Sequence, residues 1–278
     1  MKFALSTFMT PVEHLPEIAQ AAEAAGWHMV TMSDHVVNPK TLTTPYPYTD
    51  DGSRRWPEFT DWADQLVTMG ALSTCTKTIR FNTNAFVLPM RNPFLVAKAL
   101  ATISVLSGNR QTLTVGVGWS KDEFALLGQD FHTRGKRCDE MIEVMKLIWS
   151  GEYVSYDGQY YKFENVESNP KPAGPVPIWV GGISQAALKR AARLADGWLT
   201  DFQPAADIVS SIQQIKAMRK ELGRDHFEGR SWYGLHRHAL MTMFAYAYLQ
   251  SRRLAEAKSR GVDGIVSRDG NFAGLRRP

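Results

Sequence analysis

The sequence predicts an α/β protein of the (β/α)8 barrel class, a TIM barrel, and three observations carry that reading. Short apolar strands alternate with amphipathic helices along most of the chain. The glycine fingerprint of a dinucleotide-binding doubly wound sheet is missing, since Thr7–Val12 holds no glycine and Gly116-Val-Gly118 lacks the third one. The length, 278 residues, suits a single barrel domain spanning 1–278.

Each element has a local reason. Strand one is Lys2–Phe8, followed by helix one over Val12–Ala25, with Leu15, Ile18, Ala19 and Ala22 on one stripe and Gly26 as its stop. Strand two is Met29–Ser33. A polar loop rich in proline holds Tyr46, Tyr48 and Trp56, and helix two, Thr60–Leu72, buries Trp62, Leu66 and Met69. Strand three, Ile79–Leu88, alternates Ile79, Phe81, Thr83, Ala85 and Val87. Helix three opens on Asn92-Pro93, a cap with proline at the first position, and ends at Gly108. Strand four is Thr112–Gly118. An insertion after it, Lys121–Lys171, contains a helix with Met141, Val144, Met145 and Ile148 inward, then two aromatic strands around Asp157-Gly158 that read as a hairpin. Strand five is Ile178–Val180, helix five Gln185–Ala195, strand six Gly197–Asp201 and helix six Ala205–Leu222. Leu240–Tyr248 and Val262–Val266 supply strands seven and eight.

Composition narrows the function classes. Eight Trp, 13 Phe and 9 Tyr bury too much area for a disordered chain. No apolar run approaches the ~18 to 20 residues that cross a bilayer, and the opening segment reads as a strand, not a secretory signal. Two cysteines, Cys75 and Cys138, make neither a disulfide framework nor a metal site; both are expected buried, in a reducing cytoplasm. The net charge of +4 comes from the tail: ten Lys and Arg against five Asp and Glu lie from Arg224 onward, leaving 22 basic and 23 acidic residues before it. A neutral body argues against a nucleic-acid partner. The histidines show no metal spacing, His236-Arg-His238 included.

A barrel places its chemistry at the C-terminal ends of its strands. Those ends read Phe8-Met9, Ser33-Asp34-His35, Ala85 to Arg91, Gly118-Trp119-Ser120, Gly181-Gly182-Ile183-Ser184 and Asp201. Asp34 and His35 are suited to orienting a substrate and moving a proton; the plainer alternative is a helix cap with a surface imidazole. Gly181 and Gly182 suit close approach of a ligand, with an anion at the helix start; a tight turn capped by Ser184 explains them equally well. Trp119 offers a flat indole to a ring system, or simply packs in the core.

Taken in order, several segments resemble the bacterial luciferase-like superfamily, and within it the branch assigned to coenzyme F-420. They are Ala24-Ala-Gly-Trp27, Ser33-Asp-His35, Leu88-Pro-Met-Arg-Asn-Pro93, Gly108-Asn-Arg110, Val115-Gly-Val-Gly-Trp119 with Glu123-Phe124, Arg134-Gly-Lys136, Asp157-Gly-Gln-Tyr-Tyr161, Pro175–Gly182 and Ala195-Asp-Gly-Trp198. The resemblance covers residues 1–223. It implies an oxidoreductase that transfers a hydride between coenzyme F-420, a deazaflavin, and a small organic substrate, with His35 handling the proton and Asp34 orienting it. The cofactor ring would lie across the barrel mouth against Phe8, Asp34, Ala85, Phe86, Gly118 and Trp119, and its phosphate at Gly181, Gly182 and Ile183. A non-proline cis peptide is expected at Ala85–Phe86. Members of the superfamily place an acid soon after strand four, where this chain reads Ser120-Lys-Asp-Glu123; the resemblance leaves the acid unassigned. The alternatives are an FMN-dependent monooxygenase fed by a separate reductase, and an inactive or binding-only barrel. A homodimer, a flavin or F-420 reductase as partner, and a medium-sized, partly apolar substrate complete the expectation. The tail departs from the pattern: 224–278 reads as divergent or frame-altered, with too few residues after Val266 for a full eighth helix.

Overall fold

The computed structural model describes residues 2–200 and 203–223. Its strands are β1 (Ala4–Ser6), β2 (Met29–Met32), β3 (Arg80–Thr83), β4 (Phe86–Val87), β5 (Gln111–Gly116), β6 (Val154–Asp157), β7 (Lys162–Val166), β8 (Ile178–Gly181) and β9 (Gly197–Leu199). Its α-helices are α1 (Leu15–Ala24), α2 (Gln65–Cys75), α3 (Pro93–Ser107), α4 (Lys121–Leu126), α5 (Arg134–Ile148), α6 (Gln185–Leu194) and α7 (Ala205–Glu221). The parallel strands run β1-β2-β3-β5-β8-β9 with β4 paired to β5, and they curl into part of a barrel. β3 and β4 are the two halves of the predicted third strand, so six barrel strands lie within the described residues. The predicted strands seven and eight, Asp201, the basic tail and the short eighth helix lie outside them.

Strands buried on both faces should read as continuous apolar or uncharged runs, and β2 and most of β5 do. Val30, Phe81, Leu113, Ile178, Val180 and Trp198 are buried in one core with Leu100, Met141 and Ile215 from the helices. The starts of α2, α3, α4 and α6 carry side-chain caps. Asn92 Oδ1 accepts from Phe94 N and Leu95 N at the start of α3, and Gly108 ends that helix with φ of 67°.

Several boundaries move for identifiable reasons. Helix two begins at Gln65, not Thr60, because the Asp64 carboxylate caps Leu66 N and Val67 N. Trp62 therefore sits in the preceding loop, half-buried. The predicted first helix divides into a 3-10 turn at Val12–His14 and α1. Strand three is interrupted after Thr83, where its pairing with β2 ends and pairing of β4 with β5 begins. The non-proline cis bond falls in that interruption, at Asn84–Ala85 and not at Ala85–Phe86. Leu88–Met90 turns as a 3-10 helix. In the insertion, α5 buries Met141, Val144, Met145 and Ile148 as expected, and β6 and β7 form the antiparallel hairpin. The short helix α4, capped by the Ser120 hydroxyl accepting from Glu123 N, is an addition to the sequence reading. Cys138 is buried, whereas Cys75 at the end of α2 is only half-buried.

Candidate active site

His35 follows β2 at the strand's C-terminal end, and its partner comes from α4. His35 Nδ1 lies 2.8 Å from Glu123 Oε2, while Val36 N donates to Glu123 Oε1 at 3.1 Å. Glu123 is positioned by its own helix, whose first turn is fastened by Ser120. Both side chains are largely withdrawn from solvent, His35 at 9% and Glu123 at 4% exposure. A carboxylate partner on one ring nitrogen fixes a histidine's orientation and leaves the other nitrogen for a second contact.

The expectation that Asp34 orients His35 is corrected by this geometry. Asp34 turns the other way and forms a two-pronged ion pair with Arg91, at 2.6 and 2.7 Å. It also accepts from Val87 N at 2.7 Å, and Arg91 returns a bond to the Val87 carbonyl. Successive residues leaving a strand point to opposite sides, so adjacent Asp34 and His35 reach different neighbours. The Arg91 guanidinium lies 4.3 Å from the centre of the Phe86 ring. Asp34 thus binds the end of β2 to β4.

Around His35 is a cluster of rings. Trp56 and Trp62 each stand 4.6 Å from the imidazole, centre to centre, and Trp119 stands 6.1 Å away. Tyr46 contacts both Trp56 and Trp119 at 5.2 Å, and Phe8 contacts Trp62 at 5.4 Å. Trp119 is therefore neither plain core nor isolated; it packs at the edge of this ring cluster. The loop carrying Tyr46 and Trp56 is tied to α4 through Asp122, which accepts from Thr43 N, Thr43 Oγ1 and Thr44 N. The Thr43 hydroxyl, with these amides, holds the Asp122 carboxyl below its ordinary range against a smaller opposing effect of burial. A small cleft of about 20 Å³ opens beside the cluster between Phe8, Met9, Ser33 and Trp62.

At the ends of β5 and β8, a Cβ on Gly116 or Gly181 would come within 3.3 or 3.4 Å of Ala85 Cβ, so these three small residues lie side by side as one floor. Gly118, with φ of 79°, has no room for a side chain, since a Cβ would meet Val87 at 2.5 Å and Phe124 at 2.9 Å. Gly182 takes φ of 113°; its N–H donates to Leu199 and its carbonyl accepts from Trp198 Nε1. Ser184 caps α6 by accepting from Ala187 N. Ile183 stands half exposed between them. The tight-turn reading of Gly181-Gly182 thus fits these bonds.

Of the sequence-derived residues, His35, Trp119 and Phe8 converge on the ring cluster, Asp34 and Phe86 join Arg91, and Ala85 and Gly181 share the floor. Sequence reasoning did not pair Glu123 with His35 or Arg91 with Asp34, 88 and 57 residues apart. It also left Trp62, read as a core residue of helix two, out of the site. Among the described residues no group of three His, Cys, Asp or Glu is placed to hold a metal ion, and no helix is long and apolar enough to cross a membrane.

The family description "luciferase-like monooxygenase" matches residues 3–243. An uncharacterised Mycobacterium tuberculosis protein is 37% identical over 224 residues, covering 81% of this chain and 77% of its own. An F420-dependent glucose-6-phosphate dehydrogenase of Nakamurella multipartita is 31% identical over 189 residues, 67% of this chain and 51% of that enzyme. Among solved structures, an F420-dependent secondary alcohol dehydrogenase in complex with an F420-acetone adduct has a TM-score of 0.68 at 23% identity, covering 81% of this chain and 65% of that one. A monooxygenase from Streptomyces bottropensis has a TM-score of 0.67 at 20% identity, covering 80% and 67%. At these identities the solved structures speak for the fold alone.

Proposed function

Because the chain belongs to the luciferase-like monooxygenase family of oxidoreductases, we propose that it transfers a hydride between coenzyme F-420 and a small organic substrate. The observation that carries this reading is the withdrawn His35–Glu123 pair at the C-terminal mouth of the strands. The residues present fit a flat deazaflavin. Gly116, Ala85 and Gly181 put only small residues side by side, where a Cβ on either glycine would touch Ala85, and the Gly182-Ile183-Ser184 turn opens α6 where an anionic arm is favoured. When bound, the deazaflavin supplies a ring carbon that accepts or gives up the hydride. This chain's own residues do the rest. His35 Nε2 takes the proton of a substrate hydroxyl, or returns it to a carbonyl in the reverse direction, while Glu123 holds the ring and steadies its charged form. Asp34 and Arg91 fix the β4 end beside the floor, and the Trp and Tyr rings keep bulk water from His35.

Titration of the purified protein with F-420 and with FMN, followed by oxygen uptake, tests the assignment. Retention of F-420 with hydride transfer and no oxygen consumption is the expected result. Tight binding of reduced FMN with oxygen uptake, and no response to F-420, overturns it in favour of a monooxygenase supplied by a separate reductase, the reading the family's own description favours. Gly181→Val, which crowds Ala85, is expected to lose the cofactor while the protein stays folded. A homodimer goes with this reading and is checked by light scattering.

A further inference from the structure

Between β2 and α2 the chain runs 32 residues, 33–64, without helix or strand. Connections that long within a compact domain commonly cover an active site. Of these residues only Trp56 is buried, at 6% exposure. The rings it packs against are those of His35, Tyr46 and Trp62. One indole therefore plugs the segment onto the imidazole, whose own exposure is 9%. A substrate cannot meet His35 while that plug is seated.

The middle of the segment is fastened to itself. Tyr46 N donates to Gly52 O at 2.8 Å, Thr49 Oγ1 donates to Ser53 O, and Arg54 donates to the Pro39 and Lys40 carbonyls. Gly52 takes φ of 71°, and a Cβ there would meet Pro45 Cβ at 2.8 Å, so the turn is tight. Residues 39–56 can thus move as one piece. Their tie to α4 gathers at its first turn: Thr43 N, Thr43 Oγ1 and Thr44 N donate to the Asp122 carboxylate, and Lys121 N donates to Thr44 Oγ1. Thr43 is exposed and Asp122 half-buried. Hydrogen bonds that water can replace are the ones that open first. Just past the segment, Phe59 is 98% exposed and holds φ of 60°, a left-handed backbone that an aromatic residue rarely adopts outside strained or switching segments.

We propose that residues 39–56 are a lid over His35, plugged by Trp56 and latched to α4 by Asp122, and that the lid swings away to admit substrate. The proposal rests on the reading of His35 as the group that exchanges a proton with substrate. Opening withdraws one buried ring and trades exposed hydrogen bonds for water. Glu123, fastened by Ser120 and bonded to His35, stays behind with the imidazole. Asp122 is then a positioning residue that acts on the reaction through the loop it holds.

Carbethoxylation of histidines by diethyl pyrocarbonate, read by peptide mass spectrometry on the full chain, measures access to His35. The exposed His14 and His132 serve as internal references. In the unaltered protein His35 is expected to react more slowly than both. Thr43→Val removes a latch donor from the loop side, and Asp122→Ala removes the acceptor. Each is expected to speed His35 labelling about 3- to 10-fold, the change in open population that one lost hydrogen bond brings, with His14 and His132 unchanged. Cys138, sealed in the core, becomes alkylated only in a variant that has unfolded, and the other variant then decides. His35 reacting as fast as the references in the unaltered protein, an unchanged His35 rate in the folded variants, or alkylation of Cys138 in both variants overturns the lid. No cofactor enters the labelling. Failure to retain F-420 or FMN therefore overturns the oxidoreductase reading, a different result from a His35 whose access ignores the latch.

Discussion

His35 and Asp34 are neighbours in the chain with separate tasks, and single exchanges should separate them. His35→Asn removes the group that takes the substrate proton; kcat is expected to fall about 10²- to 10⁴-fold with F-420 binding preserved, read by steady-state kinetics beside a cofactor titration. Glu123→Gln keeps the shape of the contact and drops its charge, so kcat falls in the same direction by less. Asp34→Asn acts on the scaffold. It breaks a two-pronged pair in which the carboxylate is 3% exposed, and leaving the guanidinium uncompensated is expected to cost about 3 kcal/mol, read from the denaturant midpoint. The sequence singled out both residues by their place after a strand. It was silent on their partners, because Glu123 and Arg91 become neighbours only when the barrel curls. Cys138 follows the same logic of environment: burial pushes its thiol up to about 12, so it stays protonated and inert to alkylation until the protein unfolds.

At the scale of elements, caps and stripes were legible and long-range clamps were not. Asn92-Pro93 and Gly108 mark α3 in the sequence because capping is local chemistry. Trp62 was misplaced into a helix because its apolar character matches the stripe, whereas Asp64 decides where the first turn closes. Arg110 shows what periodicity cannot reveal. Its guanidinium donates to Ser107 O, Thr76 Oγ1, Ile79 O, Ser73 O and Thr76 O, joining the ends of α2 and α3 to the start of β3. Lysine has no planar fork to meet five acceptors. Arg110→Lys is expected to destabilise by about 2–3 kcal/mol through buried carbonyls left unpaired, seen as a lower urea midpoint with unchanged cofactor affinity. The hairpin has a similar device: Glu140 accepts from the N–H groups of Gln159, Tyr160 and Tyr161. Asp157-Gly158 announces the turn, but nothing local announces the carboxylate that holds it.

For the whole molecule, alternation of strand and helix predicted a parallel sheet, and the missing glycine motif then chose a barrel over a doubly wound one. What couples the layers is less visible, and Glu23 is the example with a measurable consequence. From the last turns of α1 its carboxylate accepts from Lys77 N, Thr78 N, Ile79 N and Thr78 Oγ1, tying that helix to the entry of β3. Burial raises its pKa, but the Thr78, Ile79 and Lys77 amides outweigh it and bring the group from 4.5 down to about 2. The folded value is the lower one, so the unfolded chain binds the proton more readily. The stability this group contributes is complete above 4.5 and is lost as pH falls toward about 2. Urea midpoints measured down this window should therefore decline, and Glu23→Gln, already without the charge, should decline less steeply. Equal slopes in the two proteins would show that α1 is held to the barrel by its apolar stripe, Leu15, Ala19 and Ala22, and not by this carboxylate.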